Sequence, residues 1–246
     1  MKSLAGLVAA VSIAAAGCSS SQTGDITVFA AASLKATFTS LGAQFEKDNP
    51  GTTVTFNFAG SSDLVAQLTQ GAPGDVFASA DTNNMTKAVD AGLIAGTPVD
   101  FATNTLTIVT APGNPKGIAS FADLAAPGNQ VVVCAPQVPC GAAAEKVEKA
   151  TGVTLTPVSE ESSVTDVLGK ITSGQADAGL VYVTDAKTAG DRVQTIPFPE
   201  STEAVNTYPI AALQDAANPA AAQKFIELVT GPQGREVLSE AGFEAP

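Results

Sequence analysis

Short apolar segments alternate with amphipathic segments along most of the chain, and this alternation limits the possible folds more than any other feature. Residues 26–29 are typical of a short buried strand. The next segment has apolar residues at helical spacing, namely Leu34, Phe38, Leu41 and Phe45. Repeated strand–helix units indicate an α/β protein whose sheets are mostly parallel and are covered by helices on both faces.

The alternation continues to the C-terminal end. We predict further strands at residues 54–58, 76–77, 106–109, 131–134 and 180–183. We predict further helices around residues 64–68, 85–93, 142–150, 164–171, 219–229 and 235–241. One sheet would be long for so many strands, and the apolar segments sort into two groups of moderate size, so two lobes are expected.

The first residues have the composition of an export signal. Residues 1–17 carry one cation, Lys2, then a long apolar run that ends in small residues before Cys18. The Ala-Ala-Gly-Cys sequence resembles the lipobox of bacterial lipoproteins, which implies that Cys18 is acylated and starts the mature chain. A membrane-spanning helix is the weaker alternative, because a span needs roughly 20 apolar residues. Residues 18–24 are polar and predict a flexible tether, so the folded part is expected to begin near Asp25.

Two residue counts exclude whole classes of function. The chain has no histidine, which excludes Ser-His-Asp and Cys-His catalysis, imidazole base catalysis and zinc sites that contain histidine. It has 24 acidic residues against 12 Lys and Arg, a net charge of -12, so no basic surface for nucleic acid is expected. No carboxylate pair suited to proton transfer is evident. We therefore expect neither an enzyme nor a nucleic-acid-binding protein.

Cys134 and Cys140 are the two cysteines that are not part of the lipobox. A zinc site would lack half of its ligands. Outside the cytoplasm a dithiol tends to oxidise, which favours a disulfide between them. Two unpaired buried thiols stay open as an alternative, because spacing alone does not ensure the geometry of a disulfide.

Polar side chains follow two of the predicted strands. Ser33 follows the first strand after a short run of alanines, and Ser61 follows the second after Ala59 and Gly60, each at the start of a predicted helix. Ligands of open parallel sheets bind beyond the carboxyl ends of the strands, where helix N-termini offer N–H donors to an anion. A serine at such a place is more commonly an ordinary helix cap, so both interpretations stay open at this point.

The second half of the chain contains segments of the same form. Cys140 and Val164 each stand at a predicted helix start, where backbone N–H groups are free. Tyr182 lies near the end of a predicted strand, where a tyrosine is by default half-buried with its hydroxyl in solvent. Asp75 and Asp81 are predicted to be turn and cap residues rather than catalytic acids.

Six blocks of sequence follow one another in a recognisable order. They are ITVFAAASL at 26–34, FAGSS at 58–62, GAPGDVFASAD at 71–81, GLVY at 179–182, YPI at 208–210 and GPQ at 231–233. Together they resemble the molybdate-binding proteins of ABC importers. The resemblance covers the chain from Asp25 onward, and the ordered set is specific although each block alone is weak.

The resemblance implies a type II periplasmic binding protein fold. That fold has two α/β lobes joined by two crossing strands, with a ligand cleft between the lobes. Carried over to this chain, residues 25–104 and 208–246 form lobe 1 and residues 105–207 form lobe 2. Hinges are then expected at residues 104–106 and 206–208.

The resemblance also assigns ligand-binding residues. In the family, two serines of the first lobe, with backbone donors and a tyrosine of the second, hold a tetrahedral oxyanion. These roles fall on five residues: Ser33, Ser61, Cys140, Val164 and Tyr182. The family commonly has a small residue in place of Cys140, so this assignment requires contact through the backbone N–H and no thiol in the cleft.

The function implied is capture of molybdate, and of tungstate, without a cofactor. The partners implied are the permease of an ABC importer and the membrane, which a lipid anchor would hold on the extracytoplasmic face. A monomer is expected. Binding of sulfate, phosphate or a ferric complex is the alternative, although ferric sites favour several Tyr or carboxylate ligands and the chain has only two tyrosines.

Overall fold

The computed structural model describes residues 24–246. The predicted signal peptide, the predicted acylation site at Cys18 and nearly all of the predicted tether lie outside these residues. Within the described range, no helix has both the length and the apolar character needed to cross a membrane.

Two five-stranded sheets organise the described chain. The strands of the first sheet are β1 (Ile26–Ala31), β2 (Val54–Ala59), β3 (Val76–Ala78), β4 (Ile94–Asn104) and β10 (Asn206–Leu213). Those of the second are β5 (Leu106–Thr110), β6 (Val131–Cys134), β7 (Ser159–Glu161), β8 (Ala178–Tyr182) and β9 (Gln194–Ile196). The strand orders are β2-β1-β3-β10-β4 and β7-β6-β8-β5-β9.

Eight α-helices accompany the strands in the described range. They are α1 (Lys35–Asp48), α2 (Ser61–Thr69), α3 (Thr82–Asp90), α4 (Pro139–Thr151), α5 (Val164–Thr172), α6 (Val183–Ala189), α7 (Pro219–Thr230) and α8 (Pro232–Ala241). A 3-10 turn over Ala32–Leu34 joins β1 to α1. The α/β class predicted from the alternation is therefore confirmed.

Both sheets are mixed, which corrects the prediction of mostly parallel sheets. In the first sheet β1 is parallel to β2 and β3, whereas β10 is antiparallel to β3 and β4. In the second sheet β6 is parallel to β7 and β8, whereas β5 is antiparallel to β8 and β9. Strands β4, β5 and β10 carry the chain from one sheet to the other and back, so the local strand–helix pattern does not show their direction.

The two crossover segments that connect the sheets lie side by side. Strand β4 ends at Asn104 and β5 begins at Leu106, while the returning strand β10 begins at Asn206, which pairs with Asn104. The Asn104 side-chain amide donates to the Thr184 hydroxyl at 2.8 Å and so ties this crossover to α6. Two short adjacent crossovers are the arrangement expected of a hinge.

The first sheet has a hydrophobic cluster on each of its faces, and the second sheet has a hydrophobic core of its own. The predicted helix face from Leu34 to Phe45 is buried against the first sheet, where Phe38 packs edge-on against Phe225 at 5.9 Å between ring centroids. A separate core fills the second sheet and includes Val167 of α5. Ala32 follows β1 yet packs into this second core, so the two halves of the molecule are in contact.

One predicted boundary is wrong in a way that matters for the cleft. The apolar run at 180–183 predicts a strand through Val183, but β8 ends at Tyr182 and Val183 begins α6. Val183 is 38% exposed, whereas Tyr182 is buried. Tyr182 is therefore the last strand residue, at the edge of the sheet where helices begin.

Candidate functional site

A narrow cleft lies between the two halves of the molecule, and the space inside it that a water molecule can occupy is about 10 Å³. Its lining comes from both sheets and consists of Ala31, Ala32, Ser33, Gly60, Ser61, Ala80, Val138, Pro139, Cys140, Val164 and Tyr182. All five residues assigned to the ligand from the sequence are in this lining. The structure thus brings together residues that are far apart in the sequence.

Ser33 lies in the 3-10 turn that follows β1. Its hydroxyl is 3.0 Å from the hydroxyl of Tyr208, and either group can be the donor. The helix-cap interpretation does not apply, because the cap of this turn is Ala31 and no side chain makes a capping hydrogen bond there. When Tyr208 is the donor in this pair, the proton of the Ser33 hydroxyl is left for a group in the cleft.

Ser61 is the first residue of α2 and is 1% exposed. Its hydroxyl oxygen accepts the backbone N–H of Ala80 at 3.0 Å. The cap position of α2 belongs to Gly60, so Ser61 is not the cap either. Because the oxygen already accepts a proton from Ala80, the hydroxyl's own proton is left to donate to a group in the cleft.

Three helices begin at the cleft. Ser61 opens α2, Cys140 is the second residue of α4, and Val164 opens α5. The first backbone N–H groups of a helix have no acceptor within it and carry partial positive charge. The backbone N–H groups of Ser61, Cys140 and Val164 donate no hydrogen bond to any of the described residues. The cap of α5 is Ser163, whose hydroxyl accepts the Asp166 N–H at 3.2 Å.

The predicted disulfide between Cys134 and Cys140 is present, with the two sulfur atoms 2.05 Å apart. It joins the end of β6 to the first turn of α4. The Cys140 sulfur is therefore bonded to Cys134 and is not a free thiol at the cleft, which meets the requirement for contact through the backbone N–H.

Tyr182 differs from its default interpretation as a half-buried residue with a solvated hydroxyl. It is 1% exposed, and its hydroxyl makes no hydrogen bond of normal geometry to any described residue, although the Tyr208 side chain lies beside it. Its ring packs edge-on against Tyr208, with centroids 6.0 Å apart. Burial raises the pKa of Tyr182 well above its usual range, so the hydroxyl keeps its proton and remains a donor.

Tyr208 and Asp185 are residues that the sequence analysis did not assign to the site. Tyr208 entered only as a hinge residue and a family landmark, yet its buried hydroxyl holds Ser33. Asp185 is buried in α6 and accepts the Tyr182 N–H at 3.3 Å. Burial raises the pKa of Asp185 to about 7, while the bond from Tyr182 acts in the opposite direction. Its position three residues after a strand end is the signal that could have found it.

Of the two carboxylates predicted to be turn and cap residues, Asp81 is a helix cap, whereas Asp75 joins segments that are far apart in the sequence. Asp81 accepts the Asn84 N–H at 2.9 Å and caps α3. Asp75 accepts the N–H groups of Thr27 and Asn218 at 2.8 and 3.0 Å. Neither is left free for proton transfer.

The lining of the cleft is neutral. None of the described residues that form it is Lys or Arg. Between residues 24 and 246, no group of three or more Cys, Asp or Glu side chains is placed to hold a metal ion. The cleft therefore offers hydroxyl and backbone N–H donors, a set that suits an acceptor-only ligand such as a fully ionised oxyanion.

Comparison with known proteins gives a family match over residues 26–244, to the bacterial extracellular solute-binding proteins. The molybdate-binding protein ModA of Mycobacterium tuberculosis is 57% identical over 221 residues, which is 90% of this chain and 85% of that protein. ModA of Escherichia coli is 32% identical over 245 residues, 96% of this chain and 95% of that protein.

A solved structure agrees with these relatives. The periplasmic molybdate-binding protein of Azotobacter vinelandii superposes with a TM-score of 0.77 at 25% identity and covers 90% of this chain and 99% of that protein. The two-lobed periplasmic binding protein fold expected from the sequence is thereby confirmed.

Proposed function

From the premise that this chain belongs to the bacterial extracellular solute-binding proteins, we propose that it captures molybdate outside the cytoplasm for an ABC importer. Proteins of this family bind solutes, are not enzymes and need no cofactor for binding. Relatives named for molybdate binding at up to 57% identity support the choice of ligand.

The Tyr182 hydroxyl is the observation that carries the proposal. A buried hydroxyl without an acceptor costs about 1–3 kcal/mol, so its place at the cleft calls for an acceptor that arrives with the ligand. The same cleft gathers Ser33, Ser61 and the N–H groups of Cys140 and Val164. We assign the oxyanion to these five residues.

The donor set also accounts for selectivity. A fully ionised oxyanion only accepts hydrogen bonds, whereas hydrogen phosphate brings a proton that would face a donor and find no acceptor. Sulfate has the charge and shape of molybdate but is smaller, so cavity size must separate the two. Tungstate is nearly the same size as molybdate and is expected to bind as well.

Capture is proposed to proceed by closure of two lobes. Lobe 1 comprises residues 25–104 and 208–246, lobe 2 comprises residues 105–207, and the paired crossovers near Asn104 and Asn206 act as the hinge. A ligand that contacts both lobes favours the closed state, because it gains its full set of hydrogen bonds only there.

We propose that the membrane permease recognises the closed, ligand-bound form. The mature protein is proposed to be a monomer that a lipid on Cys18 anchors to the extracytoplasmic face of the membrane. Residues 18–24 would then give the folded domain its reach from the bilayer.

Thermal unfolding with a panel of ligands tests the function. A ligand at 100 times its dissociation constant stabilises the folded state by about 2.7 kcal/mol. We expect molybdate and tungstate to raise the melting temperature, and sulfate, phosphate and ferric citrate to leave it unchanged. A shift with sulfate equal to that with molybdate, or no shift with either, contradicts the proposal.

A further inference from the structure

Gly60 lies in the cleft wall at a place where the two lobes approach closely. It precedes α2 in lobe 1, and the facing group is the backbone carbonyl of Ser162 in lobe 2. A Cβ atom built on Gly60 would lie 2.1 Å from that carbonyl oxygen and 3.5 Å from Cγ1 of Val138. The first distance is far inside van der Waals contact, so no residue with a side chain fits there in this arrangement.

The backbone conformation of Gly60 gives no other reason for glycine. Its φ is -60° and its ψ is 141°, values that any residue adopts. The space that a Cβ would need is therefore the only constraint that the structure places on this position.

The facing carbonyl cannot move aside easily. Ser162 directly precedes Ser163, which caps α5 through the Asp166 N–H. Moving the Ser162 carbonyl would disturb this cap and the Val164 N–H beside it. A side chain at position 60 would instead be accommodated by holding the lobes apart.

We propose that Gly60 is a positioning residue that sets how far the cleft closes on its oxyanion. This inference rests on the proposed function. The donors on lobe 2 reach the ligand only when the lobes meet, so a methyl group at position 60 would lengthen several hydrogen bonds at once without touching the ligand. The residue then acts on affinity through closure and not through a contact of its own.

Three variants separate closure from other effects. Gly60→Ala adds only the Cβ. Gly60→Ser adds the Cβ together with a good helix-capping side chain, so it preserves or strengthens the start of α2. Gly169→Ala is the matched control, because a Cβ at that α5 position meets nothing within 4 Å.

The measurements are titration calorimetry with molybdate and small-angle X-ray scattering with and without it. We expect both Gly60 variants to bind about tenfold more weakly or worse, as overpacked contacts do, and to contract less on adding molybdate than the unmodified protein. Gly169→Ala is expected to match the unmodified protein in both measurements.

The outcomes distinguish the two proposals. If the unmodified protein neither binds molybdate nor contracts, the proposed function fails and this inference fails with it. If the unmodified protein binds and contracts, and Gly60→Ala does both equally well, the role of Gly60 is overturned while the function stands. Weak binding by Gly60→Ala with full affinity in Gly60→Ser would also overturn it, because capping and not space would then be the cause.

Discussion

At the scale of the residue, buried neighbours hold the hydroxyl groups of the cleft in place. Ser61 already accepts the Ala80 N–H, which leaves its own proton free to donate. Ser33 shares a hydrogen bond with Tyr208, and the Tyr182 hydroxyl makes no hydrogen bond of normal geometry to any described residue. The side chains at the cleft are thus donors held in place by neighbours that are themselves buried.

Replacing Tyr182 with Phe removes one donor and leaves the ring. Hydrogen bonds to a charged group contribute about 1.5–3 kcal/mol, so molybdate affinity should fall roughly tenfold to a hundredfold. The ligand-free protein should unfold at the same temperature or higher, because the hydroxyl is unpartnered there. Calorimetric titration and thermal unfolding measure the two effects, and unchanged affinity would remove Tyr182 from the site.

Asp185 predicts a pH dependence of stability. Its folded-state pKa of about 7 lies above the ordinary aspartate pKa of about 3.9, so its contribution is fully present below about pH 4 and is lost as pH rises through 7. Relative to Asp185→Asn, the unfolding free energy should fall by up to about 1.4 kcal/mol per pH unit across this window. Denaturant unfolding from pH 4 to 8 measures it, and parallel curves for the two proteins would contradict the assignment.

The sequence leads to some of these residues and not to others. Ser33 and Ser61 stand out because each lies a few residues after an apolar strand and at the start of a helix, which is a local signal. The burial of Tyr182 is not local, because Tyr208, which packs against it, comes from the returning strand β10. Ser33 and Tyr208 are also far apart in the sequence, so the hydrogen bond between them could not be predicted from local patterns.

At the scale of the element, the site depends on helices that begin at one edge of each sheet. The starts of α2, α4 and α5 converge on the cleft because β2, β6 and β7 each end there. The Cys134–Cys140 disulfide ties β6 to α4 across a loop of five residues and holds the Cys140 N–H in position.

Replacing both Cys134 and Cys140 with Ser should lower stability by about 2 kcal/mol, the chain-entropy value for so short a loop. Because the loop then orders only on binding, molybdate affinity should fall as well. Denaturant unfolding and calorimetry of the double variant measure both effects. Full affinity in the variant would show that the bond stabilises the lobe without shaping the site.

Helices were predictable from the sequence because apolar spacing of three and four residues is a local property, as the buried face from Leu34 to Phe45 shows. Strand β4 could not be predicted in this way. It contains Gly96, Pro98 and Asp100, and it is a strand because β10 pairs with it from more than a hundred residues away. The mixed character of both sheets has the same origin.

At the scale of the whole molecule, a protein with a net charge of -12 is proposed to bind a dianion. Long-range attraction cannot supply the affinity because the protein is acidic, and a short-range ion pair cannot supply it because the described lining holds no Lys or Arg. Fixed hydroxyl and N–H dipoles in a cleft can supply the affinity, because such dipoles act more strongly where water is excluded.

This predicts an unusual salt dependence. Raising NaCl from about 10 mM to about 100 mM shortens the Debye length from about 30 Å to about 10 Å. Screening then weakens the repulsion between the acidic surface and the dianion, so molybdate affinity should stay constant or increase slightly. Calorimetry at several salt concentrations measures it, and a several-fold loss of affinity with salt would indicate a basic group at the site.

A crystal structure of the protein with molybdate tests the central claim most directly. The oxygens of the ion should lie within hydrogen-bonding distance of the Ser33, Ser61 and Tyr182 hydroxyls and of the N–H groups of Cys140 and Val164. An ion bound outside the space between the lobes, or one contacted by the side chain of a lysine or arginine, would contradict the account.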